Sequence, residues 1–88
     1  MKLTNNKQLY AYLVSLSVKL KDAGATPLSE AVASAARTAA AIPATEFLGG
    51  ARIALVRVLK MDVSSLNESE RAELVDVLGQ VNSALDNR

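Results

Sequence analysis

Apolar residues recur along most of the chain at alternating steps of three and four, which is the spacing of one face of an α-helix. Two segments show the pattern most clearly, at Leu9, Leu13, Leu16, Leu20 and Ala23, and at Leu74, Leu78, Val81 and Leu85. The alternation of apolar and polar residues that is typical of a strand does not occur. The pattern predicts four amphipathic helices, at about residues 5–23, 27–42, 46–61 and 68–85.

Capping signals support two of these boundaries. Gly24 tolerates the left-handed conformation that ends many helices, and Thr26 and Pro27 suit the N-cap and the first helical position of the next helix. Asn67 and Glu70 have the spacing of a capping box at the start of the last helix. The short connections predict antiparallel neighbours in a compact all-α bundle that forms one domain over residues 1–88. The alternative is a three-helix core with one packed-on or exchanged helix.

Composition narrows the chemistry that this bundle can perform. Half of the 88 residues are apolar but only 3% are aromatic, and the chain contains neither Cys nor His. Disulfides, thiolate ligands and imidazole ligands are therefore unavailable. Without His, a Ser or Thr nucleophile also lacks its usual activating base. We therefore expect a non-enzymatic protein with no catalytic residues, no cofactor and no metal, and association with a second copy or a partner is a natural source of additional stability.

Charge is distributed unevenly along the chain, although the net charge is only +1. Residues 1–24 carry four Lys against one acid, whereas residues 62–88 carry six acids against two Arg. Residues 45–61 are also basic, with three cationic side chains against one acid. These segments of opposite charge can face each other within one chain or between two copies.

The third predicted helix carries the candidate interaction surface. Its inward positions are Phe47, Ala51, Ala54, Leu55 and Val58. Its outer sector contains Gly49, Arg52, Ile53, Val56, Arg57 and Lys60. Ile53 and Val56 are aliphatic where a solvated face would be polar. Either another part of the chain covers them, or they form a second packing surface whose arginines meet acidic residues, such as Glu73 or Asp76, of a partner.

A helix-turn-helix DNA-binding or transcription-related domain is the main alternative function. A short turn joins the second and third helices, and the third carries Arg52, Arg57 and Lys60. A net charge of +1 and an acidic last helix argue against nucleic-acid binding. The Gly49-Gly50 pair lacks the spacing of a phosphate-binding loop, and no small-molecule substrate is inferred. The sequence therefore favours a protein–protein interaction or oligomerisation module, acting as a homodimer or with another protein.

The first segment has some features of a secretion signal. Lys2 and Lys7 precede the apolar residues 9–18, but Lys19 and Lys21 interrupt the segment before a cleavage site could follow. No uncharged apolar stretch approaches the ~20 residues that span a bilayer. We therefore expect a cytoplasmic protein with no membrane contact, and its composition resembles that of small bacterial-type accessory proteins.

Overall fold

The computed structural model describes residues 6–37, 44–61 and 66–86, and these residues form four α-helices. They are α1 (Asn6–Asp22), α2 (Thr26–Arg37), α3 (Ala44–Met61) and α4 (Glu68–Asp86). The prediction of an all-α bundle is confirmed, and the helix boundaries within the described ranges agree with the predicted ones to within two residues. The predicted start of the first helix at residue 5 and the predicted end of the second at residue 42 lie outside the described residues.

The turn between α1 and α2 is a Schellman motif. Gly24 has a φ of 87°, and the N–H of Ala25 donates to the carbonyl of Leu20 at 2.8 Å. These features end α1 as the sequence predicts, because glycine adopts positive φ without steric cost. The carbonyl of Ala25 then accepts the first helical bond of α2, from the N–H of Ser29 at 2.9 Å. Ala25 is therefore the N-cap of α2, and the assignment of that role to Thr26 was wrong by one residue.

One apolar core connects all four helices. Its largest fully buried side chains are Phe47, Leu9, Leu13, Leu20, Leu55, Leu74, Val32, Val58, Val77 and Val81. Most of them are positions that the helical periodicity predicts. Ala23 differs, because α1 ends before it and it is exposed. Leu66 and Val77 differ in the other direction, since both are buried although the pattern assigns Leu66 to a loop and omits Val77.

Short connections join consecutive helices that pack on each other, and such helices are expected to be antiparallel. α2 packs on α1 and α3, and α3 packs on α4. An ion pair of 3.3 Å between Lys19 Nζ and Glu70 Oε2 joins the end of α1 to the start of α4. Arg71 Nη2 donates to the carbonyl of Leu59 at 3.3 Å and joins α4 to α3. Because α4 also contributes Leu74 to the common core, the described residues show a four-helix arrangement and not a three-helix core with an outlying helix.

Candidate interaction surface

The structure places most of the predicted surface residues of α3 in solvent. Its buried positions are Phe47, Ala51, Ala54, Leu55 and Val58, as the sequence predicts. On the other side of the helix Arg52, Arg57 and Lys60 are exposed, and Gly49 is half-buried. The side chain of Ile53 is 63% exposed, so no part of the described chain covers it. The outer face of α3 therefore combines a large aliphatic side chain with three cations.

Val56 does not point away from the core as the sequence analysis assumed. It is half-buried and packs against the core cluster. Successive helical residues are about 100° apart, so Val56 lies on the flank of the helix beside the fully buried Leu55. Its branched side chain reaches the edge of the core from this position. Ile53, and not Val56, is the aliphatic centre of the exposed face.

Met61 belongs to the same exposed surface, although the sequence marked it only as the end of a helix. Its side chain is 65% exposed, and Ile53, Arg57 and Met61 follow each other at steps of four along α3. Such spacing places the three side chains in one stripe. An open hollow of about 500 Å³ adjoins this stripe and is lined by Ala25, Pro27, Leu28, Arg57 and Met61. The stripe therefore continues into an apolar depression at the start of α2.

The outer face of α4 has the opposite charge. Glu68 and Asp76 are exposed there, and Val75 is 52% exposed. Asp76 Oδ2 accepts a hydrogen bond of 3.0 Å from Gln80 Nε2, which holds the carboxylate along the helix surface. A shallow hollow of about 490 Å³ is lined by Asp76, Gly79, Gln80 and Ser83. This face has an exposed aliphatic side chain beside carboxylates, whereas the face on α3 has one beside cations.

Three glycines lie inside α3 and α4 at positions where no described neighbour requires the lack of a side chain. Among the described residues, no atom lies within 4 Å of the position that a Cβ would occupy at Gly49, Gly50 or Gly79. Glycine in a helix interior costs about 1 kcal/mol relative to alanine. The packing of the described residues therefore does not explain why these positions lack a side chain.

A second exposed apolar stripe lies on α1 and was missed in the sequence analysis. Tyr10, Val14 and Val18 follow each other at steps of four and are all exposed. The leucine periodicity of this helix predicts only the opposite, buried face. The sequence did contain a signal for this stripe, because one aromatic and two β-branched residues lie outside the buried face at helical spacing. The groove between α1 and α2 beside Val18 has charged residues in its lining, among them Lys21 and Glu30.

A polar cluster joins α1 to the start of α4. The capping box is formed as predicted, since Glu70 N–H donates to Asn67 Oδ1 at 2.8 Å and Asn67 N–H donates to Glu70 Oε1 at 2.9 Å. The bond from Asn67, and then the bond from Lys19, lower the pKa of Glu70. Burial, and then the charges of Glu73 and Glu70, raise the pKa of Tyr12. Tyr12 therefore keeps its proton at neutral pH and contributes to the core.

The described residues contain neither a metal-binding group nor a membrane-spanning helix. No three of their carboxylates come together in a group that could hold a metal ion. None of their helices combines the length and the apolar content that crossing a bilayer requires.

No protein-family model matches this chain, and no curated protein or solved structure is similar to it at a significant level. The class that the fold and the surface define is a small helical bundle with oppositely charged, partly apolar outer faces. Its function has to be inferred from those faces.

Proposed function

We propose that this chain is a non-enzymatic protein–protein interaction module that binds its partner through the outer face of α3. The observation that carries the proposal is the stripe of Ile53 and Met61, which are 63% and 65% exposed beside an apolar hollow. Large contiguous apolar patches on the surface of a soluble protein usually mark an interaction site. An apolar centre with a polar rim is the usual composition of a protein interface.

The stripe offers enough apolar surface to make association favourable. Full burial of an Ile or Met side chain contributes about 1.5–3 kcal/mol. Arg57 lies between Ile53 and Met61 and can form paired hydrogen bonds with a carboxylate of the partner. Methionine and arginine are also enriched at interfaces, where they supply adaptable contact and directed hydrogen bonds.

DNA binding receives less support from the same face. Arg52, Arg57 and Lys60 are exposed, as a phosphate-binding helix requires. However, Ile53 and Met61 occupy the stripe that would face the groove, and the neighbouring α4 presents carboxylates that repel phosphate. We therefore retain the interaction module and propose no second function.

The proposal can be tested by measuring the native mass of the full chain and by identifying the proteins that co-purify with it from the source cell. Ile53→Lys should lower that mass to the mass of a single chain, because it places a charge in the centre of the interface. The unfolding free energy of the isolated chain should stay unchanged, since Ile53 is exposed. Val18→Lys, at a similarly exposed valine on α1, is the matched control and should behave as the wild type. Equal native masses and the same co-purifying proteins for all three would show that α3 does not bind a partner.

A further inference from the structure

The exposed faces of α3 and α4 match each other in charge and in position along the bundle. α3 ends at Met61 and α4 begins at Glu68, and the hydrogen bond from Arg71 to the carbonyl of Leu59 holds these two ends together. Because the two helices also pack on each other, we infer that they run antiparallel from this common end. The distance of a residue from this common end therefore gives its level. Ile53 lies eight residues before Met61, or about 12 Å, and Val75 lies seven residues after Glu68, or about 10 Å. The exposed aliphatic residues of the two faces are thus at nearly the same level.

Opposite charges are matched in the same way. Arg52 lies nine residues before the end of α3, and Asp76 lies eight residues after the start of α4. Lys60 lies next to the end of α3, and Glu68 is the first residue of α4. Each of these cations is therefore at the level of a carboxylate on the neighbouring helix.

The unexplained glycines follow the same correspondence. Gly49 lies about 18 Å from the end of α3, and Gly79 lies about 16 Å from the start of α4. Both have open space where a Cβ would be. Glycine is used where another backbone has to approach closely. A second helix that packs on each face at this level would give both glycines a role.

The matched residues do not cover each other within one chain. Ile53 and Val75 are at one level on adjacent helices, yet both are more than half exposed. Their side chains therefore lie on the outside of the bundle. None of the described residues of the same chain buries them.

We propose that a second copy of this chain is the partner, with its α3 packed against α4 of the first copy and its α4 packed against α3. This inference rests on the proposed function and names the partner. The two copies are related by a two-fold axis parallel to the helices, because this rotation exchanges the two faces and keeps every residue at its level. Ile53 of each copy then lies beside Val75 of the other, and Arg52 beside Asp76.

The available area fits a reversible dimer. Two adjacent helices present a face about 27 Å long and about 20 Å wide. Two such faces bury roughly 1,000 Å² in total, which is near the lower limit for a specific interface. The dimer should therefore dissociate on dilution, and its affinity should fall as salt screens the charge pairs.

A charge-exchange experiment tests the register. Arg52→Asp and Asp76→Arg, introduced singly into the full chain, should each weaken dimerisation by about tenfold in sedimentation equilibrium at low salt, because each creates like-charge contacts at two symmetric positions. The double variant should recover most of the wild-type affinity. Arg37→Asp, at an exposed arginine of α2, is the control and should leave the affinity unchanged.

The same measurement on glycine variants separates an interface role from a role in folding. Gly79→Gln should weaken the dimer by at least about tenfold through steric exclusion while raising the thermal midpoint of the dilute monomer, because glutamine favours helix. Ala11→Gln, on the exposed side of α1, should leave dimerisation unchanged.

Three outcomes would overturn the inference. These are a monomeric wild type at every concentration, a double charge variant no tighter than the weaker single variant, and undiminished dimerisation of Gly79→Gln. If the wild type is monomeric alone but Ile53→Lys still releases another co-purifying protein, the second-copy inference fails and the proposed function stands. If Ile53→Lys changes neither dimerisation nor the set of co-purifying proteins, both the second-copy inference and the proposed function fail.

Discussion

Ser17 and Ser29 show how small polar side chains fix the contact between α1 and α2. Ser29 Oγ donates to the carbonyl of Ser17 at 2.7 Å, and Ser17 Oγ donates to the carbonyl of Val14 at 2.8 Å. Both serines are buried. In the described part of the chain no buried side-chain polar atom lacks a partner. The short side chains let the two helix backbones approach while their hydroxyls remain satisfied.

Replacement of Ser29 by Ala should lower the unfolding free energy by about 1 kcal/mol, because it removes a buried hydrogen bond without creating a large cavity. Urea denaturation of the dilute monomer measures this difference. Ser34→Ala, on the exposed side of α2, is the control and should change stability by less than about 0.5 kcal/mol. Equal stability of the two variants would show that the bond between α2 and α1 makes no net contribution.

At the scale of the helix, the start of α4 is fixed by the capping box and by an ion pair with α1. The capping box of Asn67 and Glu70 satisfies backbone N–H groups that the first turn leaves without helical partners. The same Glu70 carboxylate reaches Lys19 on α1. A local signal for the start of a helix therefore also positions that helix in the bundle.

This arrangement predicts a pH dependence that Glu70→Gln should remove. The folded state lowers the pKa of Glu70 from its ordinary value of 4.5, so the ionised carboxylate stabilises the fold above that pH. The contribution is lost as the pH falls through the lowered pKa. Glutamine keeps capping-box geometry without the charge. Unfolding free energies measured from pH 7 to pH 3 should therefore differ between wild type and variant at neutral pH and converge in acid; a constant difference would contradict this origin.

At the scale of the whole molecule, basic and acidic surface lie on neighbouring helices. Among the described residues, α3 presents Arg52, Arg57 and Lys60, whereas α4 presents Glu68 and Asp76. These charged side chains lie on outer faces that are exposed to solvent. A two-fold partner brings each face opposite its complement, which is why the proposed dimer uses both helices.

The dimer predicts that the thermal midpoint of the wild-type chain rises with protein concentration, since a species that binds only the folded state stabilises it by mass action. Calorimetric or circular-dichroism melts over a wide concentration range measure this shift. Ile53→Lys should give a midpoint that is independent of concentration and equal to that of the dilute wild type. If the midpoint of the wild type does not change with concentration, self-association does not stabilise the folded state.

The candidate site was predictable only in part from the sequence. Arg52, Ile53, Arg57 and Lys60 are exposed as the angular positions on α3 predict. The exposure of Met61 depends on how the end of α3 meets the start of α2, which no periodicity contains. The half-burial of Val56 similarly depends on how closely neighbouring helices approach the flank of α3.

The sequence by itself determined the four helices, most of their described ends and most of the core. Periodic leucines, the glycine at residue 24 and the Asn67–Glu70 spacing act through local geometry, and local geometry depends on residues a few positions apart. The tertiary structure alone decided the burial of Ser17 and Ser29, the half-burial of Val56, and the contact between the end of α3 and the start of α4. Those features depend on the spacing and register of helices that are distant in sequence, which the pattern of a single helix does not specify.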